Sequence, residues 1–509
     1  METTRFPESR KRRYSGEQTR ERWAAFNDKR NTMHGRETAP ASGDSRAQQD
    51  NGAFTGQKPE CRGEDYFRNL YSIEPDFFCL GLKYPEFGAS LRDGVNLDFT
   101  DPAAVMQLTK TLLLDHFGLR VELPADRLCP PVPSRHNYIL WLKDLMDSTS
   151  SSYTDEYEPG RRVTGLDIGT GASLIYPLLG CTQRPAWHFI ATDIDAQSLT
   201  SARMNARQNN LESRIRIVGR TASDRLIPLD ELGLGAVDFA MTNPPFYASD
   251  TELLDLAARK SQPPHSACTG APVEMACEGG EVGFVKRMIE ESLALRGRVQ
   301  WYTAMLGKQS SLEVLIEVLR SRRINNFAVT TFIQGSKTRR WALGWSFICR
   351  RPSLSASRGC GAFAGKKLLP PTTAITIYQS SSQVHADPIP LLVKALRDTI
   401  ESLDLPSWSW DAQNLRGVGF AEGNVWSRAY RRRKARGRED TKLEISGPPL
   451  DALAHAFGFS LSIQLEDSDR PGDSPAVLIR WLQGDDATLF ESFVGVIQRC
   501  LRRDPANSG

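Results

Sequence analysis

The sequence predicts an α/β protein built on a doubly wound sheet, and three observations carry that prediction. Between residues 163 and 348, short apolar runs alternate with helical patterns. A glycine-rich turn, Gly165-Leu166-Asp167-Ile168-Gly169-Thr170-Gly171, overlaps the first of those runs and opens a helix. Asp193 closes the next run, about two dozen residues later, near the spacing of a ribose-binding carboxylate.

The elements follow in order. Residues 1–62 are rich in Arg, Glu, Ser, Gly and Gln, too polar to offset chain entropy by burial, and read as a disordered basic tail. From Tyr66 the texture becomes aromatic and aliphatic. Asp101-Pro102 opens a helix through Val105, Leu108, Leu112 and Leu113, with Asp101 as N-cap, and a second helix follows Pro133. Residues 163–168, 187–192, 214–218, 237–242, 301–306, 328–333 and 341–348 read as buried strands, with helices near 196–209 and 282–295. The Ser-, Gly- and Pro-rich stretch 351–373 reads as a linker. Beyond it, residues 374–505 form a small α+β unit, with strands at 374–378, 459–465 and 476–482 and helices at 388–403 and 487–501.

Composition bounds the function classes. A hydrophobic fraction of 40% with 25% charged residues is that of a soluble globular protein. No apolar run approaches the roughly 18 residues that span a bilayer, so no membrane partner is expected. The nine cysteines form no C-x-x-C pair, and His188, His265 and His455 lack ligand partners at usable spacing, so no metal is expected. The net charge is only +3, but basic residues concentrate at Arg10–Arg13 and Arg431–Lys434. Such runs serve as a nuclear address, as phosphate contacts or simply as a solvated face.

Two motifs carry chemistry. In the glycine turn, a dinucleotide fingerprint would need another glycine at Leu174, so Asp167, Gly169 and Gly171 suit a ligand without phosphates. Asp193 can take its ribose hydroxyls, although Asp193 or Asp195 could equally cap the next helix. After the strand 237–242 comes Asn243-Pro244-Pro245-Phe246. The Asn243 amide oxygen and the Pro244 carbonyl form a rigid pair of acceptors for an exocyclic NH2, aiming its lone pair at a methyl donor. Phe246 and Tyr247 offer ring faces to a planar base. The attacking nitrogen becomes acidic as it is alkylated, so no strong general base is required.

With these pieces assembled, the chain resembles the methyltransferase-like protein 16 family, as a member of fungal type. The resemblance covers most of residues 66–348, through FRNLY (67–71), PDFFCLGLKYPEF (75–87), VPSRHNYILWLKDL (132–145), GLDIGTGASLIYPLLG (165–180), NPPFYAS (243–249), EGGEVGFVKRMI (278–289), WYTAMLGK (301–308) and RRWALGWSF (339–347). It implies a Rossmann-like class I methyltransferase sheet with a helical amino-terminal extension, together spanning 63–350, and a carboxy-terminal RNA-binding unit. The implied activity is S-adenosyl-L-methionine-dependent methylation of adenosine N6 in structured RNA, U6 small nuclear RNA above all, with the nucleus as compartment and the cytoplasm second. It further implies that Arg135, Gly169 (with Gly165), Asp193 and Asn243 meet the cofactor, and that Lys83, Lys337 and Arg340 line an RNA groove. The basic run with Arg431, Arg432 and Arg433 would add phosphate contacts. Where the family has a lysine and a threonine beside the cofactor, Ser223 and Asp224 stand here, and Asp193 replaces a Glu.

The residues alone leave other substrates open. A DNA adenine or protein glutamine methyltransferase shares both motifs, and a non-catalytic RNA-binding scaffold shares the fold. The intact Asn243 and glycines weigh against the scaffold, and no region reading duplex base edges is evident.

Overall fold

The computed structural model describes residues 62–247, 270–334, 338–360, 369–378, 388–435, 456–464 and 475–502. Of the predicted tail only Arg62 is among them, and Lys337 also lies outside the described residues.

The main sheet comprises β1 (Val163–Ile168), β2 (Trp187–Asp193), β3 (Ile215–Gly219), β4 (Val237–Thr242), β5 (Val299–Leu306), β6 (Asn326–Gln334), β7 (Thr338–Ser346) and a two-residue β8 (Arg358–Gly359). Their order across the sheet is β3-β2-β1-β4-β5-β7-β6-β8. Strands β1 to β5 run parallel, while β7 is inserted antiparallel between β5 and β6. This is the expected Rossmann-like sheet, and the antiparallel hairpin β6–β7 is what the apolar runs could not distinguish. Burial on both faces explains the runs themselves: every residue of β5 is buried.

Before β1 come α1 (Phe77–Lys83), α2 (Pro102–Phe117) and α3 (Val132–Ser148), the helical extension. The cap of α2 is the predicted one, the Asp101 side chain accepting from Ala103 N, and left-handed Gly118 ends the helix. Helices α4 (Ile175–Gln183), α5 (Ala196–Gln208), α6 (Gly280–Leu295) and α7 (Gln309–Ser321) cover the sheet. The chain leaves β1 toward β2 and β3, then returns to the other side of β1 as β4. That reversal opens a crevice at the carboxyl ends of β1, β2 and β4, where ligands of such sheets bind.

The second sheet holds β9 (Ala374–Tyr378), β10 (Ser407–Asp411), β11 (Arg416–Ala421), β12 (Phe457–Gln464) and β13 (Ala476–Gln483), in the order β9-β13-β12-β11-β10. All its pairings are antiparallel. Helices α8 (Pro388–Glu401) and α10 (Ala487–Leu501) pack on it through Leu396, Ile400, Phe493 and Ile497, while α9 (Arg428–Ala435) carries the basic run. The β10–β11 hairpin was not legible in the sequence. Gly417 and Gly419 weaken any strand pattern, yet both are needed, because a Cβ at either would overlap the Trp408 or Phe459 ring.

The stretch 351–373, expected to be a linker, is partly built into the fold. Arg358–Gly359 pair in parallel with β6, and Arg351 N donates to Leu482 O at 2.8 Å. The buried Arg351 and Arg480 side chains join the two sheets. Arg480 reaches Asp155, the Ser148 carbonyl and the Arg351 carbonyl, while Arg351 Nε donates to Gly484 O at 2.7 Å. Paired in this way, buried guanidinium groups fix geometry more than they add net stability. Among the described residues no helix is long and apolar enough to cross a membrane.

Candidate active site

A cavity of about 1040 Å³, counting its open mouth, lies at the crevice between the β1 turn, the β2 end and the β4 end. The turn after β1 is shaped by Gly169 and Gly171, at φ 74° and 65°. These left-handed conformations are ones a side chain resists. Gly169 N and Thr170 N donate to Thr192 O, which ties the turn to β2. Leu174, where a dinucleotide fold has its third glycine, is itself left-handed at φ 55° and fully buried. Packing holds a strained residue at the start of α4.

The two aspartates after β2 divide the available roles. Asp195 accepts from Ser198 N at 2.7 Å and caps α5. Asp193 lines the cavity, its carboxylate accepting from Gly171 N at 2.8 Å and Asp195 N at 2.9 Å. Burial raises its pKa, against the backbone donors that favour the anion.

Asp167 and Gly165 lie elsewhere than the sequence suggested. Asp167 is fully buried beneath the turn, outside the cavity lining, and accepts from Thr170 Oγ1 at 2.7 Å. Its other oxygen has no hydrogen-bond partner, and burial pushes its pKa up to about 7. A Cβ on Gly165 would overlap the Phe239 ring on β4, so this glycine serves sheet packing rather than a ligand.

Helix α3 delivers Arg135 to the cavity, where Nη1 donates to Asn243 Oδ1 at 3.1 Å and contacts Met305 Sδ at 2.9 Å. The first bond fixes the Asn243 amide and leaves its oxygen a second lone pair. Pro244 is buried behind Asn243, and Pro245 lines the cavity. The Phe246 ring abuts Gly307, where a Cβ would overlap it, and meets the Tyr247 ring edge-to-face at 5.0 Å. Tyr247 is anchored by main-chain bonds, its N–H to Met275 O and its carbonyl from Cys277 N.

Of the remaining expected residues, Asp224 lines the cavity but Ser223 does not. Ser223 is exposed and lies 3.0 Å from the Thr221 hydroxyl. Lys83 pairs with Asp115 in the helical extension. Arg340 is half-buried close to the site; burial, then Arg135, lowers its pKa, while Glu281 raises it. Arg431, Arg432 and Arg433 are exposed on α9, in the second unit.

One lining residue carried no sequence signal. Glu274 reaches the cavity from the segment before α6, its Oε2 taking Leu128 N and Ala271 N, both at 2.9 Å. Its other oxygen lies 3.7 Å from where a Gly171 Cβ would stand, and burial raises its pKa. Only the fold-back of residues 275–277 onto Tyr247 brings it there. S-adenosylmethionine fits this donor set: carboxylates for hydroxyls and cationic groups, a guanidinium for its carboxylate, and backbone left bare at the glycines.

Comparison with known proteins agrees with this chemistry. The profile of a family described as RNA methyltransferase matches residues 64–349. The chain is 34% identical over 415 residues to the U6 small nuclear RNA (adenine-(43)-N(6))-methyltransferase of Schizosaccharomyces pombe, covering 81% of this chain and 97% of that one. It is 36% identical over 431 residues to RNA N(6)-adenosine-methyltransferase mettl16 of Danio rerio, covering 80% and 86%. The human METTL16 catalytic domain, solved with the MAT2A 3'UTR hairpin 1, is 43% identical with a TM-score of 0.49, over 55% of this chain and 94% of that one. A family match across strands β1 to β7 of the main sheet, together with a relative aligned over nearly its full length, means that this chain belongs to the RNA methyltransferase family of METTL16 and the U6 small nuclear RNA adenine-N6 methyltransferases.

Proposed function

We propose that the protein methylates N6 of an adenosine in structured RNA, U6 small nuclear RNA being its substrate, and that it works in the nucleus. The observation that carries this reading is the Arg135–Asn243 bond of 3.1 Å at the wall of the glycine-turn cavity. It holds an amide acceptor where methyl donor and base meet. S-adenosylmethionine, when bound, supplies a methyl group already activated on a sulfonium sulfur.

The chain's own residues do the rest. Asp193 holds the ribose, with Glu274 beside it, and Arg135 takes the carboxylate. Asn243 Oδ1 and the Pro244 carbonyl accept the two N–H bonds of the adenine amine, which directs its lone pair into the cavity. Phe246 and Tyr247 hold the base once it leaves its stack. The two acceptors hydrogen-bond the N–H groups and stabilise the positive charge as the nitrogen is alkylated, after which the acidified N–H loses its proton to water. Lys83 and Arg340, with Arg431, Arg432 and Arg433 of the second unit, contact phosphates. The relatives from Schizosaccharomyces pombe and Dictyostelium discoideum, both named as U6 methyltransferases, support the choice of RNA.

The test incubates the purified chain with labelled S-adenosylmethionine and U6 RNA, duplex DNA or protein. Label enters U6 RNA as N6-methyladenosine. Label confined to DNA or protein would overturn the reading, and so would tight cofactor binding without any transfer.

A further inference from the structure

Lys308 stands in the turn between β5 and α7, directly after the glycine that abuts Phe246. Three observations fix its place. The buried Glu281 carboxylate takes Gly307 N at 2.6 Å and Lys308 N at 3.1 Å, so the turn is clamped from α6. Gly307 leaves no room for a side chain against Phe246, which brings the main chain onto the ring. The Lys308 ammonium then lies over the Phe246 ring, 4.8 Å from its centroid. The register of β5 and β7 ends at Leu306 opposite Trp341, so Arg340 is the next residue on β7, beside this same turn.

We propose that Lys308 binds the RNA phosphate adjoining the target adenosine and so seats that nucleotide against Phe246. This rests on the reading of Phe246 as the ring that holds the base. A lysine laid on an aromatic face covers apolar surface with its stem and carries its ammonium to the rim of the ring, within reach of a phosphate beside the stacked base. The clamp from Glu281 sets where that charge begins. Arg340 supplies a second cation on the neighbouring strand, so the backbone of an extruded nucleotide meets positive charge on the side of the ring that Gly307 covers.

The experiment measures binding of a fluorescent U6 hairpin to the full chain loaded with S-adenosylhomocysteine, across a salt series, together with steady-state methylation. Wild type is compared with Lys308→Met, which keeps the stem, and Lys308→Arg, which keeps the charge. For Lys308→Met we expect a salt slope shallower by the equivalent of one phosphate, roughly 0.7 to 0.9. Its RNA KM should rise about tenfold with kcat within about threefold, as expected when an interaction that serves binding alone is removed. Lys308→Arg should restore both, and cofactor affinity should be unchanged in either variant. An unchanged slope and KM with a fallen kcat would make Lys308 a brace for Phe246 and overturn the proposal. Wild type that neither binds nor methylates the hairpin would instead overturn the RNA reading on which the proposal stands.

Discussion

Arg135 Nη1 donates to Asn243 Oδ1 across 3.1 Å, joining a helix of the amino-terminal extension to the end of the fourth sheet strand. In the proposed reaction the extension thereby belongs to the active site, because it orients the amide assigned to hold the adenine amine. Asn243→Ala should lower kcat about 100-fold or more, the cost of removing a preorganised polar group from a reacting centre. RNA affinity should stay near wild type; an equal loss of binding would make Asn243 a structural residue.

Arg135→Lys tests the other partner. Lysine keeps the charge but not the planar fork, so Asn243 loses its fixed orientation and the cofactor its guanidinium. Cofactor affinity and kcat should both fall, by about tenfold each if one charge-assisted bond is lost at each end. Isothermal titration and single-turnover rates separate the two effects, and an unchanged cofactor affinity would remove Arg135 from the binding set.

The aspartates after β2 give a paired test. Asp195→Ala removes a helix cap and should cost about 1 kcal/mol of stability while leaving the bond from Gly171 N to Asp193 in place. Asp193→Ala should weaken cofactor binding by an order of magnitude or more, a hydrogen bond to a charged group being worth roughly 1.5–3 kcal/mol. Equal effects on cofactor binding from the two variants would contradict the division of roles.

Asp167 makes stability depend on pH. Burial raises its folded pKa to about 7, above its ordinary value of 3.8, so the unfolded chain gives up this proton first. Stability from this group is therefore complete below about pH 4 and is lost as pH rises toward 7, by roughly 4 kcal/mol in all. Asp167→Asn retains an acceptor for Thr170 and carries no titrating proton. It should flatten that part of the stability profile, read from urea midpoints between pH 4 and pH 8. A variant with the wild-type slope would show that Asp167 titrates normally.

The basic helix should be tested by substitution rather than deletion. Removing the second unit would expose Arg351 and leave Asp155 without Arg480. Replacing Arg431, Arg432 and Arg433 by Ala leaves that boundary intact. RNA affinity should fall, and the salt slope should drop by about 0.7 to 0.9 for each phosphate that is no longer neutralised. Unchanged affinity would return the run to a solvated helix face.

Chemistry and sheet could both be read from residue order. The apolar runs at 163–168, 187–192 and 237–242 read as buried strands and form them, and in Asn243-Pro244-Pro245-Phe246 proline restricts how the acceptors can be presented by fixing the backbone locally. Both signals lie within a few consecutive residues. What residue order left open was settled by packing between distant segments. It could not decide which aspartate caps α5, because either satisfies the local rule. The glycine-turn motif placed Asp167, and the family resemblance placed Gly165 and Ser223, near the ligand, whereas packing buries the first two in or under the sheet and turns Ser223 outward. Glu274 and Lys308 carry no local signal. They reach the site because residues 275–277 pair with Tyr247 and because Glu281 clamps the turn at Gly307. Such pairs form only in the folded chain, since each joins residues that no local pattern relates.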